Sequence, residues 1–147
     1  MNKPCDPLMV SPWSSAENDH RVLRDTLGAF TTGVTVVTAL DPDGRAIGLT
    51  VNSFNTVSLD PPLVLWSLSL ASPNLEAFSK ASHFAVNVLA ADQQALSERF
   101  ARRNSDKFAG IDWREGLGGA PLPPGCCAVL ECRNEARHAG GDHLISS

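Results

Sequence analysis

Between residues 50 and 56 the chain reads Thr50-Val51-Asn52-Ser53-Phe54-Asn55-Thr56, small hydroxyl and amide side chains where a strand leaves an apolar stretch. Such a segment offers backbone N–H groups and short donors to a flat polar ring and lets the ring approach closely. An isoalloxazine needs this, because its N1/C2=O edge becomes anionic on reduction and fixed donors aimed there stabilise the charge. The plainer alternative is polar residues satisfying their own backbone at a strand end, and spacing alone favours it. Ser82 and His83 could donate to a phosphate, with Lys80 adding charge, although Ser-His before a strand is more often a turn. Asn87 lies in an otherwise apolar strand and must find partners, backbone or ligand, backbone being the commoner choice. His143 follows Gly140, Gly141 and Asp142, and two glycines permit a tight turn that sets the imidazole beside a neighbouring pocket. His138 and His143, with Asp142, could be imagined as metal ligands, but the sequence places no third neutral ligand, so no metal is expected. Nucleophile elbows, Cys/His pairs of known spacing and paired carboxylates in an apolar context are all missing, which leaves hydrolysis little support.

The elements that must position these residues follow from period and punctuation. Asp19 can cap a helix running to about Ala29, with Val22, Leu23, Leu27 and Phe30 on one stripe. The Val/Thr-rich stretch from Val34 to Leu40 then reads as a strand, Asp41-Pro42-Asp43-Gly44 as a hairpin turn, and Ala46 to Phe54 as the partner strand. Pro61-Pro62 places the next strand at Leu63 to Ser69. Ser72 and Pro73 predict a helix start, with Leu75 and Phe78 facing inward. His83 to Leu89 suits a strand buried on both faces, and Asp92 caps a third helix through about Arg102. After a Gly/Pro-rich loop from Gly116 to Gly125, one long strand with one wet face runs from Cys127 to about Arg137. A turn from His138 to His143 leads into a last strand at Leu144-Ile145. At least six strands in hairpins with three short helices favour an antiparallel barrel over a doubly wound sheet. No Gly-x-Gly-x-x-Gly opens a helix, so any nucleotide must bind on strands and loops.

Composition narrows the setting. A chain of 147 residues with 43% hydrophobic and 19% charged content is an ordinary globular domain. Its net charge of -4 argues against a duplex nucleic-acid binder, and the basic stretch from Arg99 to Lys107 reads as a solvated helix end. No apolar run approaches the roughly 18 residues of a membrane span. Residues 1–17 are polar and Pro/Ser-rich, without the apolar core of a secretory signal, and are expected to form a loose arm ahead of a domain over 18–147. Cys5, Cys126, Cys127 and Cys132 lack CxxC spacing, which suits buried or free thiols in a reducing cytoplasm rather than a zinc site, and adjacent Cys126 and Cys127 in a strand would face opposite ways.

Six ordered motif groups carry a resemblance. Phe30-Thr31-Thr32-Gly33-Val34-Thr35-Val36-Val37-Thr38 comes first, then Gly48 to Phe54, then Val57-Ser58-Leu59-Asp60-Pro61-Pro62-Leu63-Val64. Phe84 to Leu89, Arg99-Phe100-Ala101 with Asp106-Lys107-Phe108, and Gly141-Asp142-His143 continue in order. From about Val22 onward the chain resembles the flavin reductase-like family, the reductase components of two-component flavin-dependent monooxygenases. The resemblance implies a mainly β, antiparallel FMN-binding split barrel with a few short peripheral helices. It implies a homodimer, with flavin near the subunit interface, that reduces FMN or FAD with NADH or NADPH and hands reduced flavin to a separate oxygenase. The chemistry it implies is hydride transfer between stacked rings held roughly 3–3.5 Å apart, for which the protein need supply no acid or base.

Carried over by motif, Leu49, Thr50, Val51, Asn52, Ser53 and Thr56 line the isoalloxazine and ribityl chain, followed by Trp66 and Ser67. Ala81, Ser82, His83, Asn87 and Val88 lie near the phosphate. His143, with Asp142, seats the nicotinamide over the flavin as the catalytic residue. Family members run past the Gly-Asp-His turn through a full strand and a tail that helps hold the nicotinamide nucleotide. Leu144-Ile145-Ser146-Ser147 is therefore expected to be a strand cut short, at more cost to NAD(P)H than to flavin binding. The rival readings are a split-barrel flavin oxidase of the pyridoxamine-phosphate type and a non-catalytic flavin- or haem-binding module.

Overall fold

The computed structural model describes residues 20–103 and 106–147; the expected arm over 1–17, the Asp19 cap and Cys5 lie outside the described residues. The chain divides into two units, residues 1–32 and 33–147. In the first, α1 spans His20–Gly28, and Leu27 and Phe30 of its apolar stripe are exposed.

The second unit runs β1 (Thr35–Leu40), β2 (Ala46–Val51), β3 (Asn55–Leu59), β4 (Pro62–Ser69), α2 (Leu75–Lys80), β5 (His83–Val88) and α3 (Gln94–Ala101). It continues through β6 (Arg114–Glu115), β7 (Pro121–Leu122), β8 (Ala128–Arg133), β9 (Arg137–Gly140) and β10 (His143–Ser146). Two four-stranded sheets result, ordered β2-β1-β5-β8 and β3-β4-β10-β9, with β6 and β7 as a separate ribbon. Every pairing is antiparallel, as the split barrel requires.

β1 and β5 lie inside the first sheet, so Val36, Val37, Phe84, Ala85 and Val86 are buried whichever face they point to. Asp41 tightens the β1–β2 turn by accepting the N–H groups of Asp43 and Arg45 on Oδ1, at 2.9 and 2.8 Å. The core closes between the sheets around Trp66 of β4. Its ring lies edge-on to Phe78 of α2 with centroids 5.1 Å apart, and 6.0 Å from Phe84 of β5. Each such buried aromatic contributes about 1.5–3 kcal/mol relative to exposure.

Several expected elements are re-cut. The strand predicted over Ala46 to Phe54 ends at Val51, and Asn55 already belongs to the other sheet. The long strand predicted over Cys127 to Arg137 is likewise two, β8 and β9 in different sheets. Its corner is held by Asn134 N–H on the Ser82 carbonyl at 2.9 Å and by Glu135 N–H on the Ser147 carbonyl at 2.7 Å. Polar/apolar alternation runs on through such a corner, so periodicity cannot see the change of sheet. Ser72 does not cap α2: its Oγ accepts the Asn74 N–H one turn ahead of the helix, at 3.2 Å. Gln93, not Asp92, precedes α3, its Oε1 taking the Ala90 N–H at 2.9 Å. The Gly116 to Gly125 loop contains β7. The turn at 138–143 shrinks to Gly141 and Asp142, Gly140 pairing with His143 and Gly141 at φ 67. Cys126 and Cys127 sit in the turn before β8 rather than within a strand, and both are free, as is Cys132. No helix among the described residues is long and apolar enough to cross a membrane.

Candidate functional site

The corner where β2 leaves its sheet opens a cleft of about 820 Å³, within the range of small-molecule sites. Its floor is β2 and the residues just beyond it, Leu49 to Ser53. One wall is the end of β4 and the following turn, another the end of α3 with residues 106–108, and His143 and Ile145 of β10 close the far side.

Each wall has a local cause. Ser53 substitutes its side chain for ladder backbone: Oγ accepts the Ser67 N–H at 2.9 Å and donates to the Ser67 carbonyl at 3.1 Å. That stitch lets the backbone of 52–54 leave both sheets while keeping β4 satisfied. Gly48 lets α3 lie directly on β2; a Cβ there would stand 2.6 Å from Phe100 Cε1. Thr50 Oγ1 donates to the Ser97 carbonyl at 2.5 Å, tying the helix to the floor. Lys107 reaches back with Nζ to the carbonyls of Gly48 and Phe100, at 3.1 and 2.9 Å, and burial pushes its ammonium below the usual lysine range. His143 is presented by the two-residue turn and held by Asp142, whose Oδ1 accepts from Nδ1 at 2.7 Å. Nε2 is left as the ring atom available to a ligand.

Of the residues singled out from the sequence, Leu49, Thr50, Val51, Asn52, Ser53, Ser67 and His143 share this cleft, and Asp142 supports His143 from behind. Thr56 is exposed on β3, outside the lining. Trp66 is a core residue, 1% exposed. Ala81, Ser82, His83, Asn87 and Val88 lie outside the lining. The Ala81 carbonyl takes Asn134 Nδ2 and Arg137 Nη2, while Ser82 Oγ and His83 Nδ1 bond each other at 2.9 Å. Asn87 is fully buried, and its Nδ2 donates to the Val36 carbonyl at 2.9 Å and to Thr38 Oγ1 at 3.1 Å. Backbone, the commoner of its two expected partners, is what it meets.

Sequence reasoning missed Ser69, Asn74, Arg102, Arg103 and Lys107, all of which line the cleft. The signal for the cations was the basic stretch from Arg99 to Lys107, read as a solvated helix end. Among the described residues the Asn52 and Asn74 side-chain amides carry no internal hydrogen bond, so the lining presents open donors beside an apolar floor. A flat heteroaromatic ring bearing a polar edge and an anionic chain fits that set.

The flavin reductase like domain family matches residues 27–146. FMN reductase (NADH) SmoA of Agrobacterium fabrum is 57% identical over 127 residues, covering 86% of this chain and 72% of that protein. The flavin-dependent monooxygenase reductase subunit HsaB of Rhodococcus jostii is 44% identical over 128 residues, 87% of this chain and 65% of its own length. The solved structure of NADH:FAD oxidoreductase SgcE6 of Streptomyces globisporus, in complex with NAD and FAD fragments, is similar with a TM-score of 0.82 at 41% identity. That likeness covers 87% of this chain and 77% of the other. The chain spans 72%, 41% and 65% of the lengths of the first three curated relatives. Fold, cleft and likeness agree: the chain belongs to the flavin reductase like domain family.

Proposed function

We propose that this protein is an NAD(P)H:flavin oxidoreductase that reduces FMN or FAD and supplies reduced flavin to a separate monooxygenase. The observation that carries the reading is the convergence of Leu49 to Ser53 with His143 in one cleft of a family-wide fold. SmoA and SgcE6, named for NADH-dependent reduction of FMN and FAD, support NADH as donor and either flavin as acceptor. HsaB, named as a reductase subunit, supports an oxygenase partner.

Flavin bound in the cleft supplies the hydride acceptor. The floor residues Leu49, Thr50 and Val51 would hold its ring, and the free amide of Asn52 would be a donor to its polar edge. Ser53 acts through position, since its hydroxyl is committed to Ser67. His143, aimed by Asp142, would help hold the nicotinamide beside the flavin and exclude water. Thr56, Trp66, Ala81, Ser82, His83, Asn87 and Val88 support the site from outside its lining in this reading. The working form is a homodimer, supported by exposed apolar Val57 and Leu59 on β3, an edge strand. Its place is the cytoplasm, where NADH is available.

Mixing the purified protein with FMN or FAD and NADH without oxygen tests the reading. Catalytic loss of the flavin's visible absorbance, with a rate that rises with added flavin, supports it. NADH oxidation indifferent to added flavin, or none at all, overturns it.

A further inference from the structure

Cys126 and Cys127 are adjacent in the chain and stand in the turn before β8, outside any strand. A strand would point their side chains to opposite faces; a turn imposes no such divergence. Burial is the main cause holding the Cys126 thiol above its usual range; the Gln93 side chain opposes the rise and the charge of Cys127 adds to it. The two sulfurs are therefore within electrostatic reach of each other. Their exposure differs. Cys127 is exposed, whereas Cys126 is half-buried and its Sγ donates to the Pro123 carbonyl at 3.6 Å. Cys132, the remaining described cysteine, is packed against the core between the sheets.

The same turn clasps the start of α3. Cys127 N–H donates to the Val88 carbonyl at the end of β5, at 2.8 Å. Gln93, the residue before α3, sends Nε2 to the Pro124 carbonyl at 2.8 Å and takes the Ala90 N–H on Oε1. Its own carbonyl accepts the Ser97 N–H at 3.1 Å, in the first turn of the helix. Gly125, at φ 80, leaves room for that side chain: a Cβ there would stand 3.2 Å from Gln93 Nε2. α3 then offers the Ser97 carbonyl to Thr50 and lays Phe100 on Gly48, the contacts that set one wall of the cleft.

We propose that Cys126 and Cys127 are a peroxide-responsive dithiol that closes reversibly to a disulfide and loosens the α3 wall. The exposed Cys127 reacts first: its sulfur attacks hydrogen peroxide, the O–O bond breaks, and water leaves as Cys127 becomes a sulfenic acid. The Cys126 sulfur then attacks that sulfur; the S–O bond breaks, the S–S bond forms, and hydroxide leaves with the thiol proton as a second water. Two thiols are oxidised and one peroxide is reduced to two waters. Neighbouring Cα atoms stand about 3.8 Å apart, short of the roughly 4.4–6.8 Å that disulfides usually span. The closed ring must therefore twist the 126–127 peptide, which draws the Cys127 N–H off the Val88 carbonyl. The same strain makes the bond easy to reduce, as suits a regulatory disulfide rather than a structural one. Reduced flavin that meets oxygen before an oxygenase yields hydrogen peroxide; that source of oxidant rests on the flavin reductase reading, and the dithiol chemistry does not.

The test treats the reduced protein with hydrogen peroxide, blocks remaining thiols with N-ethylmaleimide and weighs the peptide bearing residues 126 and 127. Expected are a mass lower by two hydrogens, no alkylation at either position, and full reversal by dithiothreitol. Cys126→Ser is expected to stop at sulfenic or sulfinic acid on Cys127, and Cys127→Ser to leave Cys126 reduced. Hydrogen exchange reads the clasp without any flavin: amides over residues 93–97 are expected to exchange about fivefold faster in oxidised wild type, and unchanged in peroxide-treated Cys126→Ser. Flavin fluorescence on the same samples is expected to show FMN Kd rising about threefold. Oxidation that stops at one sulfur of wild type, a disulfide to Cys5 or Cys132, unchanged exchange, or FMN bound with unchanged affinity overturns the proposal. Should peroxide close the ring and speed exchange in a protein that neither binds nor reduces any flavin, the dithiol stands and the reductase reading fails.

Discussion

Replacing Gly48 by alanine tests whether the α3 wall of the cleft rests on bare backbone. The added methyl would meet Phe100 Cε1 at 2.6 Å, Cδ1 at 2.9 Å and Phe108 Cζ at 3.2 Å. Carbons in contact settle at roughly 3.5–4.0 Å, so the Phe100 ring must retreat by about 1 Å. Phe100 is fully buried and stands edge-on to Phe108 with centroids 5.0 Å apart, so both rings and the end of α3 move together. Alanine in a strand returns about 0.5–1 kcal/mol of backbone entropy. Overpacking costs about 1–3 kcal/mol, and the net loss is about 1–2 kcal/mol. At this chain length that lowers Tm by roughly 3–8 °C. The same displacement lifts Lys107 away from the Gly48 carbonyl, so flavin affinity falls with stability. Thermal and urea unfolding read the loss, and flavin titration reads the cleft. Adding Phe100→Leu trims the ring, so the double variant is expected to lose about 1 kcal/mol less than the two single losses combined. An unchanged Tm for Gly48→Ala, together with strict additivity in the double variant, refutes the close approach.

Ser53→Ala removes the hydroxyl that meets both backbone groups of Ser67, and urea unfolding is expected to show a loss of about 1–2 kcal/mol. A loss below about 0.5 kcal/mol would mean that water replaces the hydroxyl without cost. Asp142→Asn withdraws the charged acceptor from His143 Nδ1; kcat/KM for NADH is expected to fall roughly fivefold while flavin Kd moves less than about twofold. Stopped-flow reduction checks this, and equal effects on both quantities would refute a nicotinamide-side role. Burial holds the Lys107 pKa below its ordinary 10.5, so as pH climbs toward 10.5 the unfolded chain keeps a proton that the folded chain has released. Stability relative to Lys107→Met therefore rises with pH in the window just below 10.5, and a flat or falling difference in urea titrations would contradict the desolvation.

The strands with the strongest β signals are where the residues put them. β1 and β5 are Val- and Phe-rich, central in their sheet and buried on both faces, and the Asp41 turn between β1 and β2 is set by its own carboxylate. What escaped the sequence were the two places where the chain changes sheet, at 52–54 and 134–136. A change of sheet leaves the alternation of side chains intact and shows only in which backbone groups are paired, and backbone pairing has no local signature. The helix starts slipped for a related reason. Ser72 has the right side chain for a cap but spends it on an earlier turn, and Gln93, a poor cap by preference, holds its place through the Ala90 N–H.

The same reasoning explains why the segment from Thr50 to Thr56 was ambiguous. A chain leaving one sheet for another needs small polar side chains to replace lost ladder bonds, as Ser53 does for Ser67. A flat ring with a polar edge needs small polar side chains and unpaired N–H groups at its rim. One set of residues meets both demands because the sheet change itself frees the backbone donors. Polar residues at 52 and 53 are thus legible as a corner before they are legible as a site. The rest of the cleft comes from segments far apart in the chain: Gly48 admits Phe100, Phe100 fixes the end of α3, and the end of α3 brings in the cations. Asn87 shows the converse. It is polar, buried and flanked by the motif residues, yet its Nδ2 is spent on the Val36 carbonyl and Thr38 Oγ1 inside the sheet, while its Oδ1 is buried without a partner among the described residues. Polarity in an apolar strand signals a partner. Whether that partner is ligand or backbone depends on which side of the sheet the cleft opens, and in this fold it opens at the β2 corner.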